Sequence, residues 1–141
     1  MNEKKRVLIL CTGNSARSQM AEGILRNIGS DIIDVESAGV EPSSVRPEAA
    51  EAMREIGIDI SGNRSKSVDE FSGQNFDYII TVCDNAKETC PVFPGSAARI
   101  HRSFDDPPPA DVGEYKWRLE IFRRVRDELR SWLTDFANQI N

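Results

Sequence analysis

The period of the apolar positions changes several times along the chain, and each change marks an element. Arg6 to Cys11 holds Val7, Leu8, Ile9 and Leu10 without a polar break, the pattern of a strand covered on both faces. Thr12-Gly13-Asn14-Ser15 is turn chemistry. From Arg17, Met20, Ala21, Ile24, Leu25 and Ile28 recur at helical spacing until Gly29, a natural helix stop. Ile33 to Ala38 reads as a weaker strand, followed by a loop rich in Gly, Pro and Ser as far as Arg46. Pro47 opens a helix through Ala49, Ala50, Met53 and Ile56, which Gly57 closes. Ser67 with Glu70 fits a capping box for a short helix over Val68 to Ser72.

Tyr78 to Cys83 is the clearest strand, with Cys83 at its carboxyl end. Asp84 to Cys90 has the length of two helical turns, capped by Asp84 and stopped by Pro91. Ala98 to His101 is a short edge strand. Beyond Pro107-Pro108-Pro109, the residues Leu119, Phe122, Val125, Leu129, Trp132, Leu133, Phe136 and Ile140 mark one face of a long closing helix, whose Arg- and Glu-rich remainder is expected to be solvated. Strands alternating with helices predict an α/β three-layer sandwich, a four-stranded parallel sheet flanked by helices, as one domain over 1–141. Ligands of such sheets sit beyond the carboxyl ends of the strands, where Cys11 and Cys83 fall.

The bulk numbers narrow the partners. A chain of 141 residues buries roughly two thirds of its unfolded surface around one core. Eighteen basic against 23 acidic residues, net −5, argue against a sequence-independent grip on nucleic acid. Met1-Asn-Glu-Lys-Lys-Arg resembles the start of a signal peptide, but the apolar run after it is too short, and no stretch approaches the roughly 20 apolar residues of a membrane span. The expectation is a soluble, cytoplasmic monomer with no nucleic-acid or membrane partner. In a reducing compartment its three cysteines are either inert core residues or reagents.

Cys11-Thr12-Gly13-Asn14-Ser15-Ala16-Arg17-Ser18 places a cysteine, five residues and an arginine where a strand turns into a helix. Backbone amides in such a turn point inward as an anion nest, and the helix start adds partial positive charge. Arg17 can clamp two oxygens at once. The same field is expected to lower the Cys11 pKa and so arm the thiolate. Asp106, before Pro107, lies in a loop that the topology can bring to the same edge, where a carboxyl group can protonate a leaving oxygen.

Cys11 to Ser18 with Asp106-Pro107 resembles the low-molecular-weight protein tyrosine phosphatases, and the longer string from Cys11 to Gly23 resembles their arsenate reductase branch. Ser37-Ala38-Gly39, Gly57-Ile58-Asp59-Ile60-Ser61, Val82-Cys83, Cys90-Pro91 and Phe104-Asp105-Asp106-Pro107 extend the likeness over nearly the whole chain. The resemblance implies Cys11 as nucleophile, Arg17 as oxyanion clamp, Asp106 as acid, and Cys83 and Cys90 as redox partners. It implies arsenate as substrate, no bound cofactor, and an external dithiol as reductant, with thioredoxin ahead of glutaredoxin or glutathione. Departures from the phosphatases are Ala16, where a second loop cysteine is usual, and Pro108-Pro109, where aromatic residues usually follow the acid.

On that resemblance a Cys11–Cys83 disulfide would form as arsenite leaves, and exchange with Cys90 would give a Cys83–Cys90 bond. A helical segment from 83 to 90 would hold the two Cα atoms about 10 Å apart, beyond the roughly 7 Å a disulfide tolerates. Oxidation is therefore expected to unwind it. Some relatives bind potassium beside residues matching Asn14, Glu22 and Ser37 with help from an acidic side chain near position 66. Here Lys66 stands there, either as a built-in replacement for the ion or as a solvated lysine, and no metal is expected. The readings left open are a phosphatase acting on phosphomonoesters and a non-catalytic oxyanion-binding or redox-sensing module. Cys83 and Cys90 as inert core thiols, and a zinc site built from the cysteines with His101, are the bland alternatives for the sulfurs.

Overall fold

The structure is a computed structural model that describes residues 4–83 and 95–140. Its strands are β1 (Lys5–Cys11), β2 (Ile33–Gly39), β3 (Tyr78–Thr81) and β4 (Ala98–His101). The helices are α1 (Arg17–Gly29), α2 (Pro47–Arg54) and α3 (Tyr115–Ile140), with a single 3-10 turn at Val68–Phe71. All strand pairs are parallel, in the order β2-β1-β3-β4. The chain passes from β1 to β2 on one side and then crosses back to lay β3 on the other. The winding thus reverses at the carboxyl ends of β1 and β3, where an open α/β sheet leaves a crevice.

Val7, Leu8, Ile9 and Leu10 are all fully buried, so the unbroken apolar run does correspond to a strand covered on both faces. Helices α1, α2 and α3 pack against one another, and α3 contributes Leu119, Phe122, Val125, Leu129 and Leu133 to the core. A chain of aromatic contacts links Phe104 to Trp132, Trp132 to Phe136 and Phe136 to Tyr78. It ties α3 to β3 and to the start of the Asp106 loop.

Two expectations change. β3 ends at Thr81, two residues before Cys83, although Val82 still donates to the Leu10 carbonyl. The Ser67 hydroxyl caps the 3-10 turn by accepting from the Asp69 amide at 3.1 Å. The Glu70 carboxylate takes the Ser67 amide, as a capping box requires, and Arg64 holds the same carboxylate in a two-pronged ion pair. The polar remainder of α3 is not uniformly solvated either, since Arg126 is buried and donates to the Ala52 carbonyl and to Glu55. The helix expected over 84–90, and Cys90 with it, lies outside the described residues.

Candidate active site

The anion loop is shaped from outside. Val40, Glu41, Ser43 and Arg46 donate their amides to the carbonyls of Cys11, Thr12, Gly13 and Ser15 at 2.8–3.2 Å. The Ser65 hydroxyl adds a second bond to the Gly13 carbonyl, and Gln19 takes the Asn14 carbonyl. With the carbonyls turned outward, the amides of the same peptides face the concave side, as an anion nest requires. Asn14 sits in the left-handed region at φ 48°, which Asn tolerates better than most residues. Gly39, which pairs with Cys11 across the sheet, must be glycine, because a β-carbon there would fall 2.6 Å from the Thr12 oxygen and 2.8 Å from the Asn14 nitrogen.

Asn14 is held by a buried network. Its Nδ2 donates to Ser18 and Ser37, and its Oδ1 accepts from Gln19 and from the Lys66 amide. Ser37 passes the chain to Glu22 at 2.7 Å. The Glu22 carboxylate also meets Arg26, Asn63 and the Lys66 ammonium. Lys66 is 9% exposed, and its Nζ lies 3.3 Å from Glu22 and 3.5 Å from Glu36. The lysine is therefore not a solvated one. A positive charge already sits between the two carboxylates, and both lone-pair directions of the Asn14 amide oxygen are taken, so these residues do not fit a potassium ion.

Arg17 begins α1 and reaches over the mouth. Its Nη1 donates to the Phe104 carbonyl at 3.0 Å, and its Nη2 lies 3.3 Å from the Asp106 carboxylate. The residues expected as clamp and acid thus meet at one edge. The Asp106 side chain is 78% exposed, so its carboxyl group is a solvated one.

Cys83 lies under the loop. Its sulfur is 3.2 Å from the Thr12 hydroxyl, and it shares a hydrogen bond with the Cys11 thiol. Both thiols are buried and reduced. That contact, followed by burial, pushes the Cys11 thiol far above its ordinary value of 9.0, against the pull of Arg17 and the Thr12 amide. The expectation of a lowered pKa left out the neighbouring sulfur. Two sulfurs in such contact titrate as a pair rather than singly. The His101 Nδ1 pairs with the Thr81 hydroxyl at 2.8 Å, and among the described residues no group of three His, Cys, Asp or Glu side chains is placed to hold a metal ion.

The sequence profile described as low molecular weight phosphotyrosine protein phosphatase matches residues 6–141. The chain belongs to that family. Within the family, this chain is 47% identical to the arsenate reductase of Halalkalibacterium halodurans over 135 residues, 95% of the chain and 96% of the relative. It is also similar to a solved arsenate reductase in its oxidized state, with 33% identity, a TM-score of 0.81 and coverage of 97% and 99%. The low molecular weight protein tyrosine phosphatase of T. tengcongensis gives 26% identity and a TM-score of 0.77 over 96% and 99%. Family membership agrees with the motif from Cys11 to Ser18. The supporting Gln19, Arg46, Asn63 and Ser65 were not singled out from the sequence.

Proposed function

We propose that this chain reduces arsenate to arsenite with Cys11 as nucleophile and Cys83 as the second thiol. The observation that carries this reading is the direct contact of the Cys11 and Cys83 side chains, with the Thr12 hydroxyl beside the second sulfur. A phosphomonoester needs one thiol, because water can complete its hydrolysis. Reduction of As(V) needs two electrons, and a second sulfur in contact with the first can deliver them.

The chemistry balances as follows. The Cys11 thiolate attacks arsenic, and one arsenate oxygen departs as water with a proton from Asp106. Arg17 and the loop amides carry the charge of the remaining oxygens. Cys83 then attacks the Cys11 sulfur. An S–S bond forms, the S–As bond breaks, and its electron pair stays on arsenic, which leaves as arsenite. Cys90 attacks Cys83 and returns Cys11 to its reduced form, and an external dithiol of the thioredoxin type reduces the final Cys83–Cys90 bond.

The test is mass mapping after one turnover with arsenate and no reductant, together with Cys83→Ser. The expected result is a Cys83–Cys90 bond in the native chain. The variant loses arsenate turnover and keeps slow hydrolysis of an aryl phosphate. Hydrolysis of the aryl phosphate as the sole activity of both proteins would place the chain with the phosphatases instead. Anion binding without turnover of either substrate would leave only a binding module.

A further inference from the structure

Glu48 stands in the first turn of α2 with its side chain 2% exposed. Its Oε2 accepts from Arg46 Nη2 at 2.7 Å and from Arg118 Nε at 2.8 Å. A carboxylate buried this deeply costs several kcal/mol unless it is paired, and here two cations on different elements pair with it. An acidic residue that merely favours a helix start lies at the surface and needs neither.

The two arginines lead to opposite ends of the active site. The Arg46 amide donates to the Ser15 carbonyl at 2.9 Å, on the wall of the anion loop, and its guanidinium lies 5.0 Å from the centre of the Phe122 ring. Arg118 continues through Nη1 to the carbonyls of Val112 and Gly113, at 3.3 and 2.5 Å. Those carbonyls close the segment that begins at Asp106. Between them run Pro107, Pro108 and Pro109, whose locked φ angles make a stiff spacer, and a turn from the Pro109 carbonyl to the Val112 amide. The upstream end is pinned separately, by the Phe104 amide on the Val82 carbonyl and the Phe104 carbonyl on Arg17.

We propose that Glu48 and Arg118 are positioning residues for Asp106, fixing the far end of the proline spacer against the wall of the anion loop. This rests on the reading of Asp106 as proton donor. Displacement at Val112 and Gly113 is carried through the prolines to the carboxyl group, while the Arg17 clamp and the loop amides stay in place. Releasing the clamp therefore slows proton delivery and spares oxyanion binding.

The experiment is single-turnover thiol loss with arsenate and no reductant, across a range of arsenate concentrations, in the native chain and in Glu48→Gln, Arg118→Met, Asp106→Asn and the Asp106→Asn/Glu48→Gln double variant. A misplacement on the scale of an ångström slows chemistry by up to about a hundredfold. The clamp variants are expected to lose about tenfold in the limiting rate with an unchanged half-saturating arsenate concentration. The double variant is expected to be no slower than Asp106→Asn, since coupled residues are not additive. Losses that multiply in the double variant, or a weakened arsenate affinity, would reduce the clamp to a fold fastener and overturn the proposal. A slow Asp106→Asn beside a fast Glu48→Gln overturns it while leaving the proton donor intact, whereas a fast Asp106→Asn removes both. Should Glu48→Gln fail to fold, Arg118→Met and its own double variant with Asp106→Asn carry the same comparison.

Discussion

The sulfur of Cys83 lies 3.2 Å from the hydroxyl of Thr12, at the edge of the loop that Cys11 opens. The second thiol is therefore stationed beside the Cys11 thiol.

Cys83→Ala removes the largest cause that raises the Cys11 pKa and leaves the lowering influence of Arg17 and the Thr12 amide. The remaining thiol becomes the stronger acid. Alkylation of Cys11 by iodoacetamide near neutral pH is expected to be faster in Cys83→Ala than in the native chain, with its pH profile moved to lower pH. An unchanged profile would mean that the sulfurs do not share a proton.

Lys66→Gln deletes the cation between Glu22 and Glu36. Breaking a buried ion pair costs about 3–5 kcal/mol, and Arg26 and Ser37 still serve Glu22, so a loss near the lower end is expected in urea unfolding. Potassium added against a sodium background is expected to leave the native chain unchanged and to restore part of the lost stability in Lys66→Gln. Potassium dependence of the native chain would show that the ammonium does not fill the place.

Gly39→Ala puts a methyl group against the Thr12 oxygen and the Asn14 nitrogen. Overpacking at such a point costs about 1–3 kcal/mol, and here the strain falls on the turn that aims the amides. Calorimetric binding of inorganic phosphate is expected to weaken at least tenfold, while the far-UV spectrum stays native.

Glu48 titrates against its burial. Burial favours the neutral acid, but Arg118, its own amide and Arg46 together hold its pKa below the ordinary 4.5. A lowered pKa in the folded state contributes stability above the unfolded value and loses it as the pH falls through the folded one. The midpoint of urea unfolding is expected to drop more steeply below about pH 4.5 in the native chain than in Glu48→Gln.

The frame of the molecule was readable because local pattern and tertiary burial agree. Val7 to Leu10 needed no distant information to read as a buried strand, and Cys11 with Arg17 is a constellation local to one turn. What the sequence could not carry were the partners of charges far apart in the chain. Lys66 looks solvated until Glu22 and Glu36 arrive from α1 and β2. Glu48 looks like a routine acid at a helix start until Arg118 arrives from α3. Glu70 shows the converse: its local motif held, with the carboxylate on the Ser67 amide, and Arg64, six residues away, joined it as a charged partner. The sign of the Cys11 shift failed for the same reason, since it depends on a sulfur 72 positions later in the chain.

The ladder of amides from residues 40–46 onto the loop carbonyls has a bearing on selectivity. A cradle held rigid by its own scaffold reads size, charge and tetrahedral shape, properties that phosphate and arsenate have in common. Phosphate should then be a competitive occupant, and discrimination must fall to the later step, where arsenic accepts an electron pair from sulfur and phosphorus does not. On the proposed reading the mouth admits both anions, and the element at the centre decides which of them is changed.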